Sequence, residues 1–197
     1  MAPVAHAAAG MGVTVFAVDW RSDDDDGGRR DLLGSLNFVR AEGSLLGVEP
    51  DRLVLAGWSL GARAALDAAV HGVGAPWRPS AVVGIAGGYG QPGSVSSRVV
   101  IGSIPTCTHA PVPVWLVHGQ RDEIVPVARS RECAVALESA GWPVELALPD
   151  TDHGGVVMTR YEPALGRCEP SGDPEALAAG AETVRALVLA AGFDRTR

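Results

Sequence analysis

A serine becomes a nucleophile at neutral pH only when a histidine can take its proton, and that histidine needs a carboxylate to fix its tautomer. Ser59 lies in Gly57-Trp58-Ser59-Leu60-Gly61, a G-x-S-x-G pattern between an apolar run at 53–56 and an alanine-rich stretch at 60–70. Such a serine sits on a strained strand-to-helix turn, so the positions two before and two after it must lack bulk. Asp122 lies in His118-Gly119-Gln120-Arg121-Asp122-Glu123-Ile124-Val125-Pro126, directly after the apolar run 114–117. His153 lies in Pro149-Asp150-Thr151-Asp152-His153-Gly154-Gly155, directly after the run 144–148. The order Ser59, Asp122, His153 matches one known chain order of a serine triad. Asp150 and Asp152 are nearer to His153 along the chain, but adjacency in sequence says little about side-chain reach, and Asp122 is the preferred acid. Asp19, which also follows an apolar run, is a weaker candidate. His118 reads as a structural histidine at a strand end, because a proton-transfer role would duplicate His153. His6, His71 and His109 read as surface or packing residues, and Cys107 as structural.

Three separate loops must meet for this chemistry, which puts demands on the elements that carry them. Five short, β-branched-rich runs read as buried strands: 13–18, 53–56, 81–86, 114–117 and 144–148. Helical spacing covers 31–43, 60–70, 127–140 and 174–191, the last opened by Asp173 as N-cap and Pro174 at the first helical position. Residues 1–12 read as a short helix. Strands alternating with helices imply parallel βαβ units, an α/β doubly wound sheet covered on both faces. In such sheets, sites form at the carboxyl ends of the strands.

Composition narrows the classes further. The 197 residues suit one domain spanning 1–197, and 47% hydrophobic with 20% charged residues is a globular balance. All 16 basic residues are arginine, which excludes a Schiff-base lysine and a P-loop lysine. A net charge of −7 argues against a nucleic-acid partner. No apolar run approaches the ~20 residues that cross a bilayer, which argues against a membrane partner. The three cysteines have no C-x-x-C spacing and fit neither a zinc site nor a dense disulfide framework. Asp23, Asp24, Asp25 and Asp26 lack the spaced ligands of a calcium loop and read as a solvated turn. The first ten residues show no basic segment followed by a long apolar one, so a cytoplasmic location is expected, although a secreted chain with its leader removed reads the same.

Four segments resemble serine hydrolases of the α/β-hydrolase fold, in the group of carboxylesterases, thioesterases and dienelactone hydrolases. They are GVTVFAVDWR at 12–21, DRLVLAGWSLGARAA at 51–65, VWLVHGQRDEIVP at 114–126 and DHGG at 152–155. With the strands between them, the likeness spans nearly the whole chain. It implies a mostly parallel sheet of about five core strands, helices on both faces and no cap domain. It also implies Ser59 as nucleophile, His153 as general acid and base, Asp122 as orienting acid and the Leu60 N–H as an oxyanion donor, with no metal and no organic cofactor. Dienelactone hydrolases carry cysteine at this turn, so a serine favours ester chemistry.

The same resemblance implies a second oxyanion donor on a loop after a strand lying between 13–18 and 53–56, yet only residues 1–12 precede. Two arrangements follow. Run 13–18 could pair directly with 53–56, which would draw a backbone N–H of Trp20 or Arg21 towards Ser59. Alternatively, a strand from a second copy could fill the space and make a homodimer. Direct pairing is the expectation. The interval 88–112 is too short for a helical cap, so the pocket should be open and suited to small or exposed acyl groups, with Trp20, Trp58, Tyr89 and Met158 as candidate pocket walls. The expected activity is hydrolysis of small-molecule carboxylic esters. A catalytically silent binding module of hydrolase-like shape is the alternative from another class.

Overall fold

Four of these runs pair into one parallel sheet in the computed structural model, which describes residues 1–73 and 77–193. Strands β1 (Val54–Trp58), β2 (Ala81–Ile85), β3 (Val114–Val117) and β4 (Val144–Ala147) lie side by side in chain order. Each neighbouring pair is parallel. The helices are α1 (Ala2–Gly10), α2 (Arg29–Glu42), α3 (Leu60–His71), the single turn α4 (Val100–Ser103), α5 (Ala128–Ser139) and α6 (Pro174–Ala190). Side chains alternate across the sheet. Val82, Val114 and Leu116 face Leu66 and Ala69 of α3 and Cys133 and Leu137 of α5. Val83, Ile85 and Val117 face Val4 and Ala8 of α1 and Val184 and Val188 of α6. All five residues of β2 are buried, as expected of a strand covered on both faces.

Side-chain hydrogen bonds fix the helix ends and loops that border the site. Asp173 caps α6 by accepting the Glu175 N–H at 3.0 Å. Farther along α6, Thr183 donates to the Val156 carbonyl at 2.6 Å, holding the segment that follows His153. Buried Asp67 of α3 accepts the N–H groups of Val95 and Ser96 at 2.7 and 2.8 Å, and His71 lies 2.8 Å from its other oxygen. A Cβ on Gly93 would fall 2.1 Å from the Asp67 carboxyl carbon, so that segment can approach only as glycine.

Residues 13–18 depart from the expectation of a fifth strand. They join no ladder, with β1 or with any other strand among the described residues. Their composition suits a strand, but a strand needs a partner strand's N–H and C=O groups, and among the described residues no strand pairs with them. Val15 and Val18 are each 40% exposed. A groove of about 610 Å³ separates residues 15–19 from Phe38 and Val39 of α2. The sheet therefore has four strands, and β1, paired only with β2 among the described residues, is an edge. The other departure is an added element. Strands β5 (Thr159–Glu162) and β6 (Arg167–Pro170) form an antiparallel hairpin before α6. Its mostly polar, mostly exposed residues carry no apolar alternation that could reveal it.

An exposed edge has a measurable consequence. Ser59 donates its N–H to Ile85 at 2.8 Å, so by alternation the N–H groups of Leu55 and Gly57 point to β2 and that of Ala56 points outward. In native-state hydrogen exchange the Ala56 amide is expected to exchange far faster than those of Leu55 and Gly57. An Ala56 amide as protected as its neighbours would show that the edge is paired in solution.

Candidate active site

The chain turns sharply where β1 meets α3. Ser59 adopts φ 57° and ψ −116°, a conformation that side-chain-bearing residues seldom occupy. Its N–H is held by Ile85, and its carbonyl accepts the Ala62 N–H at 3.1 Å. A Cβ on Gly57 would fall 2.1 Å from the carbonyl carbon and oxygen of Gly61, so position 57 must be glycine for the turn to close. At Gly61 itself there is open space. Leu60 opens α3, so its N–H is one of the four that a helix leaves without an internal acceptor.

The loops after β3 and β4 are bonded to each other. Gln120 and Arg121 donate their N–H groups to the carbonyls of Pro149 and Thr151, each at 2.9 Å, and the Gln120 side chain donates to Leu148 at 2.7 Å. Gly119 permits the approach, since a Cβ there would fall 2.4 Å from the Thr151 carbonyl oxygen. This contact brings Asp122 to His153, with Oδ2 2.6 Å from Nδ1. The Asp122 side chain is fully buried and that of His153 is 13% exposed. Oδ1 of Asp122 accepts the N–H groups of Ile124 and Val125 at 2.9 and 2.8 Å. A carboxylate only accepts, so the neutral His153 ring carries its proton on Nδ1 and keeps a basic Nε2.

Trp58 joins this pair to the serine turn. Its indole N–H donates to the His153 carbonyl at 2.9 Å, and the two rings lie 5.1 Å apart, tilted by 36°. Because Trp58 directly precedes Ser59, the end of β1 is tied to the histidine loop. Ser59, Asp122 and His153 thus stand at the carboxyl ends of β1, β3 and β4. The other acids are engaged elsewhere. Asp152 accepts the N–H groups of Gly154 and Gly155 at 3.0 and 2.7 Å, which shapes its own loop. Asp150 pairs with Arg121 at 2.9 Å, and Asp19 lines the groove beside α2.

Several expected wall and oxyanion residues lie elsewhere. Tyr89 is fully buried in the core between α3 and α5, with its ring against Gly84 and Gly87, and lines no open pocket. Met158 packs on Gly180 of α6, where an added Cβ would fall 2.2 Å from its Cγ. Trp20 lies over Gly28. Arg21 donates its backbone N–H to Asp31 at 2.9 Å, and its guanidinium binds the same carboxylate at 2.6 Å. That N–H is already spent, and without the ladder between 13–18 and β1, nothing draws Trp20 or Arg21 to Ser59.

One histidine expected to be structural stands at the site itself. His118 is fully buried, and its Nε2 lies 2.8 Å from the Val125 carbonyl and 3.1 Å from Asp122 Oδ2. Its Nδ1 lies 2.7 Å from the Ser130 hydroxyl on α5. The carbonyl can only accept, so Nε2 carries the proton and Ser130 donates to Nδ1. Burial pulls the His118 pKa below its usual value, partly offset by the Val125 carbonyl and Asp122. The spacing of His118 and Asp122 by four residues was visible in the sequence, but their contact depends on the turn between them.

No family model matches the chain, and no curated protein matches it. Solved structures do. An acetyl ester-xyloside bifunctional hydrolase from Caldicellulosiruptor lactoaceticus is similar at 21% identity and a TM-score of 0.69, over 97% of this chain and 76% of that one. MGS-M1, an α/β hydrolase enzyme from a Medee basin deep-sea metagenome library, is similar at 18% identity and a TM-score of 0.66, over 97% and 77%. The carboxylesterase Cest-2923 from Lactobacillus plantarum WCFS1 is similar at 14% identity and a TM-score of 0.62, over 87% and 70%. What is shared at such identities is the fold. The chain has the α/β-hydrolase fold.

The lowered pKa of His118 has a thermodynamic consequence. Below about pH 6.5, the ordinary histidine value, the unfolded chain takes up a proton that the folded chain refuses. The His118 contribution to stability should therefore fall as pH drops from about 6.5 towards the folded value, and should be flat above it. Urea midpoints at a series of pH values should show this fall, and it should be shallower in His118→Gln. Equal slopes would mean that His118 protonates as readily folded as unfolded.

Proposed function

We propose that the chain is a serine carboxylic-ester hydrolase, of the EC 3.1.1 class, in which Ser59, His153 and Asp122 act as a triad. The observation that carries this is the 2.6 Å contact of His153 Nδ1 with the buried Asp122 carboxylate, joined through Trp58 to the strained Ser59 turn. His153 Nε2 takes the hydroxyl proton as Ser59 Oγ attacks the acyl carbonyl. The Leu60 N–H faces the oxyanion that forms, and His153 returns the proton to the departing alcohol. A water molecule, deprotonated by the same nitrogen, then releases the acid and frees Ser59. The esterase names borne by similar structures support this choice of chemistry. Small or exposed acyl groups are the favoured substrates, because residues 88–112 hold only α4 and a short 3₁₀ turn at Ile104–Thr106. Trp58, beside both Ser59 and His153, is the aromatic best placed to meet the acyl group.

The test is turnover of p-nitrophenyl acetate together with labelling by a fluorophosphonate. Ser59 should be the labelled residue, and Ser59→Ala should lower kcat by on the order of 10⁴–10⁶ without unfolding the protein. A folded chain that neither turns over nor labels would favour the binding-module alternative.

The identity of the acid is tested separately. Asp122→Asn should cost about 10⁴ in kcat, because the amide would hold the imidazole in the wrong tautomer. Asp152→Asn keeps the oxygen that accepts from Gly154 and Gly155 and should retain most of the activity. The reverse ranking would reassign the acid to Asp152.

A further inference from the structure

We propose that His118 is a positioning residue for this triad, a neutral donor held by Ser130 that braces the Asp122 carboxylate so that Oδ2 is presented to His153. The proposal rests on the ester-hydrolase reading for its kinetic consequences. Its geometry is a closed ring of contacts. Val125 donates its N–H to Asp122 Oδ1 at 2.8 Å, while the Val125 carbonyl lies 2.8 Å from His118 Nε2. The same Nε2 lies 3.1 Å from Asp122 Oδ2. Val125 thus holds Oδ1, while the His118 N–H, bonded to the Val125 carbonyl, stands 3.1 Å from Oδ2, the oxygen that faces His153.

The hydroxyl of Ser130 decides how His118 can act. By donating to Nδ1 at 2.7 Å it holds the proton on Nε2, the nitrogen facing Asp122. If the tautomer flipped, a lone pair would face both the Val125 carbonyl and the carboxylate, and three acceptors would meet with no proton between them. Charge matters equally. A neutral His118 orients the carboxylate without cancelling the negative charge that must stabilise the His153 imidazolium. Burial keeps it neutral, against the pull of Asp122 and the Val125 carbonyl and with the repulsion of His153. Any buried histidine needs both nitrogens satisfied, but burial alone does not require that the protonated one face the carboxylate. The alignment requires that orientation.

Three variants test the proposal: His118→Leu, which removes the donor; His118→Gln, whose amide N–H reaches the place of Nε2–H; and Ser130→Ala, which removes one hydroxyl and spares the fold if His118→Leu does not. The kinetic readout is kcat per Ser59 titrated with fluorophosphonate, with KM measured alongside. Misplacement of a catalytic group by about 1 Å can cost ~10²-fold. His118→Leu is therefore expected to lower kcat per titrated site about 10–10²-fold with KM little changed, Ser130→Ala less, and His118→Gln to recover most of the rate. Wild-type kcat per site in His118→Leu and Ser130→Ala, with only the titratable fraction or Tm reduced, would show packing alone and overturn the proposal.

A second readout is independent of turnover. The downfield proton resonance of His153 Nδ1–H should shift or broaden in His118→Leu and Ser130→Ala and return in His118→Gln. An unchanged resonance in all three overturns the bracing role. Absence of wild-type labelling and turnover would instead overturn the ester-hydrolase reading, and the resonance would still decide the role of His118.

Discussion

Everything at the site depends on keeping one carboxylate charged where water does not reach. A buried carboxylate costs several kcal/mol unless its oxygens are occupied by donors. Asp122 has three hydrogen-bond partners, the backbone N–H groups of Ile124 and Val125 and the ring of His153, and the His118 ring lies 3.1 Å from Oδ2. Two of these come from the turn that follows Asp122 itself, so the loop folds back because the charge requires it. The other two are histidines with separate duties. One faces the serine turn, and the other is locked behind the carboxylate by α5 through Ser130. The requirement passes to Gly119, whose missing side chain lets the loop after β4 lie close enough to deliver His153.

Strain at Ser59 is the second cost, and the sheet meets it. A residue at φ 57° and ψ −116° sits roughly 1–3 kcal/mol above an ordinary conformation and persists only where its surroundings leave no alternative. Here the constraints are the Ile85 carbonyl on one side, the first turn of α3 on the other, and the Trp58 indole fastened to the His153 carbonyl. Trp58 therefore does two things at once. It resists relaxation of the turn, and its ring lies 5.1 Å from the His153 imidazole.

Much of this was legible in the chain. The Gly57 to Gly61 pattern marks the turn because the backbone approach at Gly57 is steric and local. Asp122 and His153 could be located because parallel sheets place loop chemistry at strand ends, and β1, β2, β3 and β4 lie where their apolar runs predict, within two residues. The failures share a cause: they turn on hydrogen-bond partners that composition and apolar periodicity do not show. Residues 13–18 have strand composition but no ladder, the hairpin at Thr159–Glu162 and Arg167–Pro170 is held by cross-strand bonds among polar residues, and the Arg21 N–H is taken by Asp31 ten residues on. Tyr89 looked like a pocket wall by its place in the chain, yet its ring fills the core space left by Gly84 and Gly87. His118, taken alone, is a histidine at a strand end. Its meaning comes from the turn that returns Asp122 to it and from a serine twelve residues later on α5.

The relative weight of these parts follows from where β1 sits. Among the described residues its ladder lies on β2 alone, so the serine turn is supported by the sheet from one side and by the histidine loop through Trp58 from the other. An oxyanion donor is typically worth 10²–10³ in rate, whereas a triad acting as a unit is worth more. In the proposed mechanism Leu60 supplies one donor simply by opening α3, whatever lies beyond the edge of β1. The triad is different: its alignment needs β1, β3, β4, α5 and two loops in register. On the proposed mechanism the larger catalytic contribution would thus rest on the loops that hydrogen bonds tie together. The smaller one borders the open edge, where residues 13–18 make no ladder.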